Sequence, residues 1–214
     1  MKVVLADDHR MMRDGLRAVL ERAGVEVVGE ASNGHEAIAE VKRLRPGILV
    51  IDIAMPELNG IDATRRLSAE LPGIKVIALT MNSDRRYVIA MLEAGAAGYL
   101  LKNAASDELL TALAVVARGQ TYLSPAIAGG VVDLAIGRGP APRYGADSPL
   151  SVREREVLQL LAEGKSSKEI ATVLQIAVPT VETHRRQIMD KLSLRTIAEL
   201  TKYAIREGLT SAEP

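Results

Sequence analysis

The chain has 214 residues, 27 basic and 27 acidic side chains, and a formal net charge of zero; that length holds one large domain or two modest ones, each able to bury a core. Charge balance gives no global sign of nucleic-acid binding, so any such function must come from local geometry. The absence of Cys excludes disulfides and thiolate metal sites, no apolar stretch reaches membrane-spanning length, and the segment Met1–Leu5 turns acidic at Asp7 and Asp8 too soon for a secretory signal, so the expected compartment is the cytoplasm.

In chain order, short β-branched runs alternate with helical stretches. The predicted strands are Val3–Ala6, Val25–Val28, Ile48–Ile51, Ile74–Leu79 and Gly98–Leu101, and Leu16, Val19, Leu20 and Ala23 recur at helical spacing after the first. Some of these runs are apolar throughout, as central strands covered on both faces must be. Five βα units fold most simply into a doubly wound, five-stranded parallel sheet. The fifth helix is expected over about Asp107 to Arg118, where Gly119 stops it, and a short helix over Ala126 to Ile136. Gly137–Gly145 is rich in Gly and Pro and reads as linker. From Ser148 onward the pattern is helical only, starting with a capping box of Ser151 and Glu154 and an inward stripe of Val157, Leu158 and Leu161. The expected organisation is thus an α/β domain over 1–118, a linker with a short helix over 119–147, and an all-α four-helix domain over 148–214.

The polar residues fall at the ends of the strands. Asp7 and Asp8 follow the first, Asp52 the third, Thr80 ends the fourth and Lys102 follows the fifth. Ligands of open parallel sheets sit beyond the carboxyl ends of the strands, where strand order reverses. With order 2-1-3-4-5 that point lies between strands one and three, so Asp7, Asp8 and Asp52 converge there. Gathered carboxylates repel one another unless a cation joins them, and a hard ion such as Mg²⁺ suits oxygen donors and a phosphate. An Asp carboxylate can attack phosphorus and form an aspartyl phosphate. Lys102 and the ion would offset the charge of the phosphoryl oxygens, and the Thr80 hydroxyl can donate to them. Each residue alone has an ordinary reading: helix N-cap for Asp7 or Asp8, strand end for Thr80, surface lysine for Lys102, core packing for Tyr99. Their joint occurrence at four strand ends outweighs those readings. His9 and His35 are expected to be surface residues.

Ala6-Asp7-Asp8-His9, Ile51-Asp52-Ile53-Ala54-Met55-Pro56 with Asn59-Gly60, Leu79-Thr80 and Tyr99-Leu100-Leu101-Lys102 resemble the receiver domain of bacterial two-component response regulators, a flavodoxin-like fold. The resemblance implies Asp52 as phosphoacceptor, Asp8, Asp52 and the main-chain carbonyl of Ala54 as Mg²⁺ ligands, and Asp7 acting through water. It also implies Lys102 as the phosphoryl-binding lysine and Thr80 and Tyr99 as a switch pair. The chain departs from the pattern at Asn103, where many receivers carry a Pro after the lysine.

In the last third, Ser166–Leu174 reads as a short helix packing Ile170, Ala171, Val173 and Leu174, and Gln175–Val178 as a break. A second helix opens with Pro179 in its first turn and runs to about Leu192, with Val181, Ile188 and Leu192 inward and Glu182, Thr183, Arg186 and Asp190 outward. His184 and Arg185 lie to the sides. Such a pair forms a helix-turn-helix. Arg186 can reach guanine N7 and O6, while Arg185 or Lys168 can meet phosphates. Phe and Trp are absent, which leaves no obvious platform for unpaired bases and favours a duplex groove.

Leu150–Leu158, Ala162-Glu163-Gly164, Lys168–Ala171 and Thr180–His184 look like a LuxR-type DNA-binding domain. A receiver followed by this domain resembles the NarL/FixJ family of response regulators, transcription factors controlled by sensor histidine kinases. The resemblance assigns base contacts to Glu182, Thr183 and Arg186 and backbone contacts to Arg185 and Lys191. It implies a homodimer when phosphorylated, and a receiver that assists its own phosphorylation and dephosphorylation without being a turnover enzyme. Where the family usually caps the recognition helix with Ser or Thr, this chain has Ala177, a loss of about 1 kcal/mol. A Mg²⁺-dependent phosphatase of the haloacid dehalogenase type is the competing reading. It expects its nucleophile on the first strand with a second Asp two residues on, whereas here Asp7 and Asp8 are adjacent and the nucleophile is on the third. A regulator that never sees phosphate is the third reading, and the complete set of pocket residues argues against it.

Overall fold

The computed structural model describes residues 1–81, 84–103, 106–135 and 149–210. The strands β1 (Lys2–Ala6), β2 (Glu26–Ala31), β3 (Ile48–Ile51), β4 (Lys75–Thr80), β5 (Gly98–Leu101) and β6 (Tyr122–Leu123) form one parallel sheet in the order β2-β1-β3-β4-β5-β6. The five expected strands stand in the expected order, and the two-residue β6 extends the β5 edge. β2 runs further than the Val25–Val28 pattern because its pairing with β1 continues to Ala6 opposite Ala31.

Alternation along the strands divides the side chains between two helical layers. Val4, Ala6, Leu49, Ile51, Val76 and Ala78 meet α2 (Gly34–Leu44), α3 (Gly60–Glu70) and α4 (Arg85–Glu93). Val3, Leu5, Ile48, Val50, Ile77 and Leu79 meet α1 (Arg10–Arg22) and α5 (Ser106–Ala117). Both faces of β3 and β4 are therefore apolar, which is why those runs lack alternation in the sequence.

The segment expected to begin a linker at 119 belongs instead to this α/β unit as far as 135. After β6, Ser124 donates its backbone N–H to the Tyr99 carbonyl at 2.9 Å. The helix α6 (Pro125–Ala135) then buries Ile127 and leans Val131 on the same core. Three apolar side chains, Leu123, Ile127 and Val131, hold it there. The Gly137–Gly145 linker lies outside the described residues.

From Leu150 the described chain is helical: α7 (Val152–Ala162), α8 (Ser167–Val173), α9 (Val178–Leu192) and α10 (Ile197–Arg206). Their shared core includes Val157, Leu158, Leu161, Ile170, Val181, Ile188 and Leu200. Capping boxes start α7 at Ser151 and Glu154, α8 at Ser166 and Glu169, and α10 at Thr196 and Glu199. The helix α9 starts at Ala177 with no side-chain cap and a Pro in its first turn. Glu154, Arg155, Glu156 and Gln159 on the polar side of α7 are buried as well, because much of that side lies against the α/β unit. Among the described residues no helix is long and apolar enough to cross a membrane.

Candidate functional site

β1 and β3 are neighbours in the sheet, so the residues that follow them emerge side by side at its carboxyl edge. The Asp52 backbone N–H donates to the Ala6 carbonyl at 2.7 Å, and Asp7 and Asp52 are both buried. Lys102, just past β5, reaches across the ends of the strands, with its Nζ 2.6 Å from Asp52 Oδ2 and 2.7 Å from Asp7 Oδ2. Its backbone N–H donates to the Thr80 carbonyl at 2.7 Å, which ties the lysine to the end of β4. Asp8 is the open member of the group, and the Ile53 N–H donates to Asp52 Oδ1 at 2.7 Å.

Ligand atoms of Asp7, Asp8, His9 and Asp52 all lie within 4.8 Å of one another. His9, expected as a plain surface residue, is 72% exposed but sets its Nδ1 2.8 Å from Asp8 Oδ1. Among the described residues, three carboxylates thus gather around a single ammonium, with Asp7 and Asp52 buried. Burial pushes the Asp52 carboxyl up to about 6, with Lys102 pulling the other way and Asp7 adding to the rise. Burial also works against the Lys102 ammonium, but Asp52 and Asp7 outweigh it and hold its pKa above the ordinary lysine value. A cluster of oxygen donors short of positive charge suits a small, hard divalent cation, so these residues fit Mg²⁺.

The connection from β3 to α3 returns tightly on itself. Gly60 donates its N–H to the Ile53 carbonyl at 2.9 Å, and a Cβ at Gly60 would run into the Asp52 carbonyl. That close approach is the physical reason for Asn59-Gly60, with the Asn59 side chain capping α3 through the Asp62 N–H at 2.9 Å. Ala54 is exposed on this connection. Thr80 is buried, and Tyr99 is wholly buried with its phenol pushed upward by burial. Among the described residues every peptide bond is trans, Lys102–Asn103 included.

On the helical unit, Glu182, Thr183 and Arg186 lie exposed on α9, with Arg185 half-buried beside them. Glu182, Arg185, Arg186, Met189, Asp190 and Arg195 line an open groove. Glu182 accepts from the Ser167 hydroxyl at 2.5 Å, and the Thr183 hydroxyl donates to the Pro179 carbonyl at 2.9 Å. Lys168 is exposed on α8. Lys191 is tied back to the helical unit itself, with its Nζ 2.7 Å from Glu154 Oε2.

A second polar site went unseen in the sequence: the contact of α7 with the β3–α3 connection and α3. Gln159, 1% exposed, accepts from the Asn59 N–H at 3.1 Å and the Asn59 side chain at 3.0 Å, and donates to the Met55 carbonyl at 3.0 Å. Glu163, whose carboxyl burial raises, accepts the Glu57 N–H at 3.2 Å. Arg155 pairs with Asp62 at 3.0 Å, and Glu156 is met by Arg66 and Arg153. His35, also expected at the surface, is half-buried, and its pKa is lowered by burial and by nearby Arg66. A separate contact joins α4 to the end of α10, where the Arg86 guanidinium donates to the Arg206 carbonyl at 3.3 Å and a Cβ at Gly208 would strike the Tyr87 ring. Nothing in the sequence marks these residues, since a run of Arg and Glu early in a helix reads as a solvated face.

Residues 3–114 match the model of the response regulator receiver domain, and residues 148–204 match that of the luxR family of bacterial regulatory proteins. The chain is 40% identical over 212 residues to the transcriptional regulatory protein MctR of Rhizobium johnstonii, covering 99% of this chain and 96% of that protein. It is 38% identical to the oxygen regulatory protein NreC of Staphylococcus carnosus, covering 98% of this chain and 99% of that one. Among solved structures, the complex of the two-component response regulator RcsB with DNA aligns with a TM-score of 0.59 at 29% identity, covering 97% of this chain and 98% of that chain. With a receiver match, a luxR-family match and relatives aligned end to end, the chain belongs to the NarL/FixJ family and is a response regulator transcription factor.

Proposed function

We propose that Asp52 accepts a phosphoryl group from a sensor histidine kinase in the cytoplasm, and that the modification controls dimerisation and the reading of duplex DNA by α9. The observation that carries this reading is the pocket itself: Asp52, Asp7 and Asp8 gathered within 4.8 Å and served by one lysine. In this reading residues 1–118 are the phosphoacceptor domain, 119–147 join the two, and 148–214 bind DNA. The packing of β6 and α6 on the α/β core supports ending the phosphoacceptor domain later than 118.

Asp8, Asp52 and the Ala54 carbonyl would hold Mg²⁺ directly, and Asp7 through water. Bound there, the ion supplies charge that offsets the phosphoryl oxygens. Asp52 attacks phosphorus through a carboxylate oxygen, the bond to the donor's leaving group breaks, and an aspartyl phosphate remains. Lys102 follows the charge from the free carboxylate to the phosphoryl oxygens. Thr80 donates its hydroxyl to the same group, and Thr80 and Tyr99 form the switch pair that favours the phosphorylated conformation. The receiver thereby assists its own phosphorylation and dephosphorylation and does not turn over a separate substrate.

At the DNA, Arg186, Thr183 and Glu182 contact bases, while Arg185 and Lys168 meet phosphates. Lys191 joins them only by leaving Glu154. Relatives' structures support a duplex partner and a dimer: one RcsB structure is a DNA complex, and another holds two RcsB dimers on two parallel DNAs. A gel-shift series with acetyl phosphate and Mg²⁺ tests the reading. Wild type should shift DNA at lower protein concentration once phosphorylated, and Asp52→Asn should not respond. A response by Asp52→Asn would overturn it.

A further inference from the structure

The turn from β1 into α1 carries two of the pocket's three carboxylates, and it is held in an unusual way. The helices α2, α3 and α4 each start on a side-chain cap, from Asn33, Asn59 and Asp84. The helix α1 starts at His9 with no side-chain cap and no acidic residue in its first turn. Apart from one bond from the His9 N–H to Asp7 Oδ1 at 2.9 Å, the nearby carboxylates of Asp7 and Asp8 are given over to the pocket. The hold comes from Arg13, further along the helix, whose Nη1 donates to the Asp7 carbonyl at 2.5 Å. Its Nε donates to Glu30 Oε2 on β2 at 3.2 Å, and Glu30 Oε1 accepts from Arg17 Nε at 2.7 Å. Arg13 is 14% exposed. Burial works against the Glu30 carboxylate, but Arg17 and Arg13 outweigh it and hold its pKa below the ordinary value.

The carbonyl that Arg13 grips belongs to the peptide joining Asp7 to Asp8. A trans peptide is a rigid plane with a Cα at each end, so rotating this one swings both carboxylates together. The preceding plane is already fixed by the sheet, through the Asp7 N–H on the Ala31 carbonyl at 3.1 Å. We propose that Arg13 is a positioning residue for the divalent cation: through the Asp7 carbonyl it sets the 7–8 peptide, and so the directions of the Asp7 and Asp8 carboxylates, while Glu30 orients its guanidinium. This rests on the reading of the pocket as a Mg²⁺-assisted phosphoacceptor site. An arginine paired directly with Asp7 or Asp8 would occupy oxygens the cation needs and place a positive charge where the ion must sit. Among the described residues the ion pair of Arg13 is with Glu30, so it orders the ligands without neutralising them. Partners that orient metal ligands from behind are worth about ten- to a hundredfold in metal affinity, and a hold through the main chain belongs at the lower end. Arg17 has a different place, since its ion pairs are with Glu30 and Glu21 and it is the more exposed of the two arginines.

The test measures Mn²⁺ binding to the full, unphosphorylated chain from the electron paramagnetic resonance signal of the free ion, with Mg²⁺ as competitor. Arg13→Met keeps the buried stem and removes every donor, and its Kd for Mn²⁺ should rise about tenfold. Arg13→Lys returns one charged donor and should recover part of that loss. Arg17→Ala severs the outer end of the same ion network and should stay within about twofold of wild type. A second readout separates positioning from general loosening. With acetyl phosphate, the Mg²⁺ concentration for half-maximal phosphorylation of Arg13→Met should rise about tenfold, while the rate at saturating Mg²⁺ stays within about twofold of wild type. Wild-type Mn²⁺ affinity in Arg13→Met, or an equal loss in Arg17→Ala, would overturn the inference and leave the Asp52 reading standing. If Arg13→Met does not fold, Arg13→Lys is set against Arg17→Ala, and equal affinities in those two would overturn the inference. A wild type that neither binds Mn²⁺ nor gains a phosphoryl group would overturn both readings.

Discussion

On one side of the β3–α3 connection, Asp7 and Asp52 share Lys102; on the other, Asp62 shares Arg155 and Arg65. Both are buried carboxylate–cation clusters, yet their balances are opposite. In the pocket three carboxylates face one ammonium, and the Asp52 carboxyl is pushed up to about 6 by burial. At the contact two carboxylates are each met by two guanidinium groups, Asp62 by Arg155 and Arg65 and Glu156 by Arg66 and Arg153. A cluster left short of charge invites a ligand, whereas a satisfied one holds two pieces of protein together.

Breaking the satisfied cluster should have the larger effect. Arg155→Ala leaves Asp62 buried with Arg65 alone, which should cost the docked arrangement about 3 kcal/mol, the low end for a severed buried pair. A fall in the urea midpoint of the full chain measures it. The unsatisfied cluster should behave in the other direction. The Asp52 pKa, pushed up to about 6, lies above its ordinary value of 3.8, so its contribution to stability is present below that ordinary value and is lost as pH rises through about 6. In Mg²⁺-free buffer, Asp52→Asn should therefore gain on wild type between pH 4 and pH 7, by about 3 kcal/mol at most. Thermal melts at the two pH values check the sign, and a wild type that gains on the variant instead would show that Lys102 dominates the site.

Smaller effects are expected on the reading helix. Arg186→Ala should weaken DNA binding by about 2 kcal/mol and relax the preference at one base pair. Competition gel shifts with single-base variants of the site measure both. Ala177→Ser adds the missing cap oxygen to α9 and should raise stability by about 1 kcal/mol, read from chemical denaturation.

The same contrast explains what could be read from the sequence. The pocket was legible because its residues follow apolar strands whose end positions are fixed by burial on both faces. Once β1, β3, β4 and β5 are placed, Asp52, Thr80 and Lys102 can only meet at one edge. The reading helix was legible for the same reason, since Val181 and Ile188 fix which side of α9 faces outward. The contact was not. Arg155 and Gln159 owe their burial to a surface of the α/β unit, and the periodicity of α7 alone does not tell that surface from water. His35 reads as a surface residue for the same reason, although it is half-buried. β6 carries no sequence signal because two residues are too few to show a period, and α6 reads as part of a linker because the core that receives Ile127 lies on distant segments.

Intact-mass measurement after incubation with acetyl phosphate and Mg²⁺ tests the central claim most directly. Wild type should gain one phosphoryl group, Asp52→Ala none. Equal gain by both proteins, or none by wild type with Mg²⁺ present, would contradict the assignment of Asp52.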